Sequence, residues 1–450
     1  MRNTGAFALM ALALIVVGFG QSWSVSLAII NLCLISSIMA LGVNIQWGYA
    51  GLFNVGIMGF AALGGLAGVL VSKAPVGGAW AAGGVDLLLG AAILLITGAL
   101  AWLIWRRVPK GRNRVIALTL VIVVGYFVAR AFFDPAIDAI EAVESAKTGY
   151  LGGLGLPIIV SWLVGGLFAA GAAIVVGRIA LGLRSDYFAI ATLGISEIVI
   201  AVLKNEDWLA RGVKNVTGLG RPVPYEVDLQ QAPWFIDMVS SLRSGTLAPL
   251  AGEERTVMLQ ELVVQSSSIF VKLCYAGLFL AVLVFVFWLS ERALRSPWGR
   301  MMRAIRDNET AANAMGKDVT RRHRQVFILG SAVVGVAGAM LTTLDGQFTP
   351  SSYNPLRFTF LIWVMVIVGG SGNNMGAVLG GFLIWFFWVE AEPVGLWLMQ
   401  TLTSGMAEDS GLRLHLLEAA PHMRLFVMGL ILLLVMRFSP TGIIPEVVRR

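Results

Sequence analysis

The side chains that could perform chemistry are few, and they form none of the common catalytic patterns. The chain has three histidines and two cysteines, and it contains neither H-E-x-x-H nor G-x-S-x-G. Its Gly316-Lys317 pair is followed by Asp318 and lacks the glycine spacing of a phosphate-binding loop. The sequence therefore predicts no catalytic residue, no metal site and no bound cofactor on this chain.

Glu197 is the most conspicuous carboxylate within an apolar stretch, DYFAIATLGISEIVIAVL. Burying a charge at bilayer depth is costly, so an intramembrane acid is by default a candidate for function. A structural role, in which the carboxyl group is hydrogen-bonded to a neighbouring helix, would account for the same residue. The sequence leaves both interpretations open.

A polar and basic segment from Gly299 to Gln325 separates two long apolar stretches. Residues 300–313 are compatible with a helix, and Met315-Gly316 forms a natural stop. A polar helix on a membrane surface is useful when a soluble protein docks on it, whereas a solvated loop of snorkelling arginines needs no partner. Composition alone favours neither interpretation.

These polar residues are set among helices that are predicted to cross a membrane. The chain of 450 residues is 57% hydrophobic and 13% charged, with a mean hydropathy of +0.81, whereas soluble domains carry about a quarter charged residues. Apolar runs of spanning length, about 20 residues, recur at 6–22, 26–43, 51–72, 86–105, 115–133, 157–181, 187–203, 269–290, 326–345, 358–368, 376–392 and 424–438.

We therefore expect an all-α integral membrane protein, a polytopic helical bundle forming one transmembrane domain over residues 1–450. The runs 358–368 and 376–392 are short and joined by a polar break, so they could be half-helices. The expected number of true spans is accordingly about 10 to 12.

Basic residues are concentrated in two loops, and this asymmetry predicts the orientation. Residues 106–114 hold five bases and no acid, and 291–324 is also strongly basic. Short basic loops remain in the cytoplasm. We expect a cytoplasmic loop at 291–324, an extracytoplasmic insertion at 204–268, and both termini, with Arg2 and Arg449–Arg450, in the cytoplasm. The net charge of +7 follows from this topology, so no nucleic-acid partner is predicted.

Glycine-rich or polar breaks interrupt several apolar runs, the longest being GGSGNNMGAVLGG at 369–381. Non-helical backbone at membrane depth is tolerated only where protein or water solvates it. The breaks at 49–54, 192–194 and 369–376 are therefore candidate walls of a translocation pathway. The pathway candidates, together with the carboxylate described above, are Tyr49, Gly51, Asn54, Thr192, Gly194, Glu197, Gly370 and Gly372.

The competing interpretation is that these glycines only allow helices to pack closely. Gly64 and Gly68, and then Gly372, Gly376 and Gly380, have the small-xxx-small spacing of tight helix contacts in lipid. If packing is the whole role, enlarging such a glycine should harm stability before it harms transport. We favour the pathway, and predict that Gly370→Ala and Gly372→Ala, the smallest enlargements, give a chain that assembles with its partner subunits but transports poorly.

Several motifs, spread over about 400 residues in a fixed order, resemble branched-chain amino acid ABC transporter permeases of the LivM type. The segment S-x-x-G-R-x-x-x-A-I-R-D-x-E-x-A-A-x-A-x-G at 296–316 is similar to the coupling loop of that family. WGYAGLFNVGIMGFAALGG, LRSDYFAIATLGISEIV, VIVGGSGNNMGAVLGG and FSPTGI resemble further family motifs.

The resemblance implies an ABC importer permease fold in a bacterial inner membrane. Such permeases pair with a second related permease, sit on two cytoplasmic ATPase subunits and receive substrate from a periplasmic binding protein. ATP and magnesium would then bind to the partner subunits and not to this chain. The residues that would couple the chain to the ATPases are Gly299, Arg300, Arg303, Arg306, Asp307, Glu309, Ala312 and Gly316.

The resemblance also implies a substrate, namely branched-chain or other hydrophobic amino acids. Similar permeases serve urea and short amides, so these substrates are an alternative. A secondary transporter or channel that acts alone would fit the composition as well, although it gives no reason for a coupling-type loop. A non-transport structural subunit of the membrane is a further alternative.

Overall fold

The computed structural model describes residues 2–144, 147–249, 251–407 and 410–446. The principal helices are α1 Arg2–Gly20, α2 Trp23–Val43, α3 Ile57–Ser72, α4 Val85–Arg107, α5 Arg112–Ala142, α6 Ile158–Ala180, α7 Ser185–Asn205, α8 Gly252–Arg295, α9 Pro297–Asp307, α10 Glu309–Ala314, α11 Val319–Asp345, α12 Pro355–Gly369, α13 Asn374–Leu402 and α14 Met423–Phe438. The strands β1 Val216–Thr217 and β2 Gln347–Phe348 form a small antiparallel pair.

Each of the twelve predicted apolar runs corresponds to one helix, which confirms the polytopic helical fold. The differences are the irregular stretch 51–56 before α3 and one or two residues at the ends of the runs 6–22 and 157–181. Nine helices in the described part of the chain are long and apolar enough to cross a membrane, and three shorter apolar helices accompany them at Thr4–Gly20, Ile57–Ser72 and Pro355–Gly369. Of the two suspected half-helices, α13 has 29 residues and could cross, whereas α12 has only 15. The chain is thus a multi-pass membrane protein.

Polar residues at the helix ends fix where the elements begin. The Ser22 side chain accepts a hydrogen bond from the Val25 amide at the start of α2, and Asp318 does the same for Arg321 at the start of α11. These caps satisfy amides that the first turn of a helix leaves unpaired. At the start of α13, the Asn373 side chain accepts from two amides.

The core of the bundle is formed by α3, α6 and α11, which pack against one another, and by α2, which packs on α11 and α13. A Cβ at Gly64 would collide with the Gly335 backbone, and a Cβ at Gly376 would lie 2.7 Å from the Gly369 carbonyl oxygen. The packing interpretation is therefore confirmed for Gly64 and Gly376, because only a glycine lets these backbones approach so closely.

Helices α4 and α5 form a hairpin that stands apart from this core. They pack mainly on each other. Among the described residues, they meet the rest of the chain chiefly at one end, through residues 77–84 and the last turns of α5, which we call the root of the hairpin. At the root, the Trp80 indole donates a 3.1 Å hydrogen bond to the Leu151 carbonyl. Within an apolar stretch of 18 residues in each span, only 11% is buried in Gly77–Arg107 and 6% in Arg112–Ala142, against 72% in Trp23–Gly48.

The segment 204–268 contains short helices at Asp207–Ala210, Glu226–Gln231, Pro233–Leu242 and Ser244–Leu247, and then the first turns of α8, which begins at Gly252. It is anchored to the bundle. Val216 pairs with Phe348 across the two strands, and the fully buried Phe235 packs on Phe270 with ring centroids 5.7 Å apart. The long helix α8 thus joins this segment to the membrane in one continuous rod.

Candidate functional site

Helices α9 and α10 carry the residues that were predicted to couple the chain to partner ATPases. Gly299, Met302 and Ile305 are the buried residues of α9, so that one face of this helix packs against the bundle. A Cβ at Gly299 would lie 2.5 Å from the Leu294 Cα, which explains the glycine at this position. The opposite face is open to solvent. It presents Arg300 and Asp307.

The rest of the predicted coupling segment continues this exposed surface. Glu309 and Gly316 are exposed, whereas Ala312 is buried against α11. Gly316 has a φ of +76°, a conformation that favours glycine, where the chain turns from α10 towards α11. Arg303 lies between the two faces and donates to the Leu294 carbonyl at 3.4 Å.

Arg306 connects this helix with three other parts of the chain. Its guanidinium donates to the Gly48 carbonyl, forms an ion pair of 2.9 Å with Glu446 and contacts Asp307 at 3.1 Å. Burial acts to lower the pKa of Arg306, but hydrogen bonds and charge attraction from Glu446 and Asp307 outweigh burial and leave that pKa raised. Arg306 is therefore a permanently charged group that is held at the junction of α9, the end of α2 and the C-terminal tail.

Beside Arg306, a polar network joins the end of α2 to the loop between α12 and α13. The Asn44 side chain accepts from the Gly372 amide at 2.9 Å and donates to the Asn374 side chain at 3.1 Å. Asn374 in turn donates to Glu291 at 3.0 Å. Glu291 lies at the end of α8, just before α9. The network therefore connects the end of α2 and the loop between α12 and α13 with the start of the coupling segment.

The polar break at 49–54 lies against this network. After α2, the chain continues as a π-helix over Asn44–Gly48, and it is irregular until α3 begins. Asn54 donates to Gln46 at 2.9 Å, and Gln46 donates to the Phe327 carbonyl of α11 at 3.0 Å. Such π-helical turns are frequent at functional sites. The break is thus a fully hydrogen-bonded connection between α2, α3 and α11.

Three further pathway candidates, Tyr49, Thr192 and Gly51, lie in or beside the same cluster. Tyr49 is buried, and burial, with the charges of Glu291 and Glu446, raises the pKa of its phenol, which stays protonated. The Thr192 hydroxyl, on α7, accepts from the Val55 amide at 3.1 Å. The glycine at 51 has a φ of +71° and faces Arg306, whose Cγ would lie 3.5 Å from a Cβ there.

Gly370 and Gly372 form the turn between α12 and α13, which pack side by side as an antiparallel pair. Both glycines have positive φ, +120° and +79°. A Cβ at Gly372 would meet the side chains of Glu446 and Arg306 at 2.8 and 3.1 Å, whereas a Cβ at Gly370 would meet the Ile444 backbone. The turn is thus packed against the C-terminal tail and α9.

The structure does not bring Gly194 and Glu197 into this cluster. Both lie on α7, on a face that the chain leaves exposed, together with Ile190 and Ile198. No atom of a described residue lies within 4 Å of a Cβ built at Gly194. One interpretation of Glu197 was a hydrogen bond to a neighbouring helix. Among the residues that the structure describes, the exposed Glu197 side chain forms no such bond.

An apolar cavity of about 220 Å³ lies further along the bundle, away from the glycine turn. Its lining includes Met39 of α2, Met58 of α3 and Met365 of α12, and its few polar lining residues are Ser36, Ser352 and Asp345. A cavity of this composition suits an aliphatic group better than a sugar, because sugar hydroxyls lose hydrogen bonds to water on entering it.

Sequence reasoning missed the residues that hold the cluster together, namely Asn44, Glu291, Asn374 and Glu446. Asn44 and Asn374 were visible as amides at the ends of apolar runs, but nothing in the sequence paired them. Arg449, Arg450 and the Arg2 side chain, which supported the predicted orientation, lie outside the described residues. In the part of the chain that the structure describes, no group of three or more His, Cys, Asp or Glu residues could hold a metal ion.

Comparison with known proteins gives the same class of protein as the motifs. The family model described as "Branched-chain amino acid transport system / permease component" matches residues 142–436. The high-affinity branched-chain amino acid transport system permease protein LivM of Escherichia coli (strain K12) is 28% identical over 282 residues, 61% of this chain and 58% of the relative. The probable branched-chain amino acid transport permease protein LivM of Methanocaldococcus jannaschii is 28% identical over 169 residues, 38% of this chain and 45% of the relative.

A shorter similarity extends to a sugar permease. The xylose transport system permease protein XylH of Escherichia coli (strain K12) is 31% identical over 96 residues, 20% of this chain and 24% of the relative. The chain spans about half of the length of the branched-chain relatives that it matches. No solved structure matches this chain. Since the family model covers well over half of its residues, the chain belongs to the family of branched-chain amino acid transport system permease components.

Proposed function

We propose that the chain is a permease subunit of an ATP-driven importer that brings branched-chain or other hydrophobic amino acids into the cytoplasm. In this proposal it spans the bacterial inner membrane, with both termini and the α9–α10 segment on the cytoplasmic side. Its partners are a second related permease, two cytoplasmic ATPase subunits that bind ATP and magnesium, and a periplasmic binding protein. The observation that carries the proposal is the position of Arg306.

Arg306 is suited to transmit a movement of α9 into the membrane. The exposed face of α9 and α10, with Arg300, Asp307 and Glu309, offers charged groups on which a soluble protein can dock. On the buried side, Arg306 binds the Gly48 carbonyl and Glu446. A displacement of α9 would therefore pull directly on the end of α2 and on the glycine turn that packs against the tail.

The exposed face of α7 supports the second permease in this proposal. Glu197 lies there among apolar residues, and a charged side chain that faces lipid costs several kcal/mol, about 2.5–3.5 on insertion scales. A partner that covers the face with polar groups or a water-filled passage removes this cost. The face would then be the wall of a pathway between two subunits, which accounts for both Gly194 and Glu197.

A Gly194→Leu substitution should disrupt assembly with a second permease without harming the chain itself. A Cβ at this position has no atom of the described residues within 4 Å, so the new side chain starts in open space. We expect the co-purified second permease to fall at least about fivefold, since about 1 kcal/mol or more is lost when an interface is overpacked. The matched control is Gly98→Leu on α4, which is also exposed and open. Equal assembly of both variants would mean that this face meets lipid.

Substrate class is tested by uptake into proteoliposomes that contain the chain with its ATPase, permease and binding-protein partners. We expect leucine to accumulate only when ATP is present, and isoleucine and valine to compete with it. Xylose and fructose are the informative controls, because permeases named for these sugars show short similarities to this chain. Accumulation of a sugar in preference to leucine would contradict the proposed substrate, and accumulation without ATP would contradict the importer.

A further inference from the structure

The hairpin of α4 and α5 ends in a cluster of uncompensated positive charge, which we call the basic tip. It consists of Arg106, Arg107, Lys110, Arg112 and Arg114. None of these five residues forms an ion pair with an acid among the described residues. The acids of the hairpin, Asp86, Asp134, Asp138 and Glu141, lie towards its root, at the other end of the two helices.

The surroundings of the basic tip leave it open to the membrane surface. The two spans of the hairpin are the least buried of those that the structure describes, together with Gly411–Phe438, so lipid surrounds most of their length. The 23 residues of α4 extend about 35 Å at 1.5 Å per residue, enough to cross the hydrocarbon core. In the proposed topology the tip emerges on the cytoplasmic side, where α9 also lies.

Two tryptophans hold arginines of the basic tip at the level expected for a membrane interface. The Arg106 guanidinium lies 4.2 Å from the ring centroid of Trp102, and that of Arg114 lies 3.8 Å from the ring centroid of Trp105. Both indoles are more than half exposed, at 55% and 61%. Tryptophan is enriched at the headgroup level of bilayers. Arg106 is exposed, so its guanidinium, which stacks through its face, keeps its N–H donors free in its plane. Arg114 is only 9% exposed, so the bases of the tip that are open to the surroundings are Arg106, Arg107, Lys110 and Arg112.

We propose that the basic tip binds the phosphate groups of anionic phospholipids in the adjoining leaflet. Clusters of four or more bases next to a membrane helix attract anionic lipid, with about 1 kcal/mol per base. Arginines pair with phosphate through parallel N–H donors.

Lipid retention by the purified full-length chain tests this proposal. The chain is exchanged into equimolar mixed micelles of phosphatidylglycerol and phosphatidylcholine, and the lipids that stay bound are counted by native mass spectrometry. We expect a preference for phosphatidylglycerol that falls at least about fivefold in the variant Arg107→Gln/Lys110→Gln, the effect of losing one base or more. Salt at about 0.5 M should reduce the preference in the wild-type chain, because it screens exposed charges.

The matched control is Arg243→Gln/Arg255→Gln, which removes two exposed bases from the opposite end of the molecule. This variant should keep the lipid preference of the wild-type chain. Equal retention of the two lipids by the wild-type chain would overturn the proposal, as would an equal loss in both double variants. An unchanged preference in Arg107→Gln/Lys110→Gln, with loss of a co-purified ATPase, would assign the tip to a protein contact instead.

Discussion

Replacing Arg306 by Gln is expected to lower ATP-dependent uptake at least about tenfold, which corresponds to about 1.4 kcal/mol, while the chain still inserts and folds. Glutamine is shorter and neutral, so it cannot bind the Gly48 carbonyl and Glu446 together as the guanidinium does. Losing one partner of such a partly buried pair costs about 1–3 kcal/mol. We expect the thermal midpoint of the purified chain to fall by a few degrees, and uptake in proteoliposomes to fall much further.

Two further variants test whether the effect comes from the contacts of Arg306 with Gly48 and Glu446 or from the loss of a positive charge in general. Arg184→Gln removes an exposed base from the loop before α7, outside the coupling segment, and uptake should stay within about twofold of wild type. Glu446→Gln should lose part of the activity, because Arg306 keeps its contact with Gly48. Similar uptake in Arg306→Gln and Arg184→Gln would show that the contacts of Arg306 are dispensable.

Replacing Gly370 by Ala is expected to destabilise the folded chain by about 2–4 kcal/mol. Its φ of +120° is open to glycine and strained for alanine, and a Cβ would lie 2.9 Å from the Ile444 carbonyl carbon. The turn and the tail would have to separate. Fluorescence-detected size-exclusion chromatography after heating measures the effect, and we expect loss of folded protein in proportion to the loss of uptake.

Gly182→Ala is the control for this variant, because the position is exposed, open and free of positive φ. It should match the wild-type chain in both measurements. Gly372→Ala should be intermediate, since the atoms that it meets belong to the side chains of Glu446 and Arg306. A Gly370→Ala chain that keeps its thermal stability and loses only uptake would restore the interpretation of this glycine as a pathway wall.

The helices could be predicted from sequence because apolar runs of spanning length report directly on lipid contact. The run 326–345 became α11, and 187–203 became α7, with differences of a few residues at their polar ends. The position of a residue within the folded bundle was harder to predict from the sequence. Glu197 looked like a buried acid because its neighbours are apolar, yet apolar neighbours occur equally on faces that meet lipid or a partner.

The glycine turn shows a second limit. The sequence 369–381 was predicted to be a break at membrane depth. In the structure, residues 370–373 connect two antiparallel helices at the end of the bundle that carries α9, and residues 374–381 are the first turns of α13. What fixes the turn is remote in sequence. Asn44 binds the Gly372 amide across 328 positions, and Glu446 reaches Arg306 from the tail. Pairing of this kind depends on the fold and has no local pattern.

The most direct test of the proposed coupling is the number of ATP molecules hydrolysed per leucine accumulated, measured in the same proteoliposomes for the wild-type complex and for Arg306→Gln. The proposal predicts a constant ratio in the wild-type complex. In the variant it predicts continued hydrolysis with little uptake, so that the ratio rises at least about tenfold. An unchanged ratio in Arg306→Gln, with normal uptake, would contradict the claim that α9 transmits the action of the ATPases through this residue.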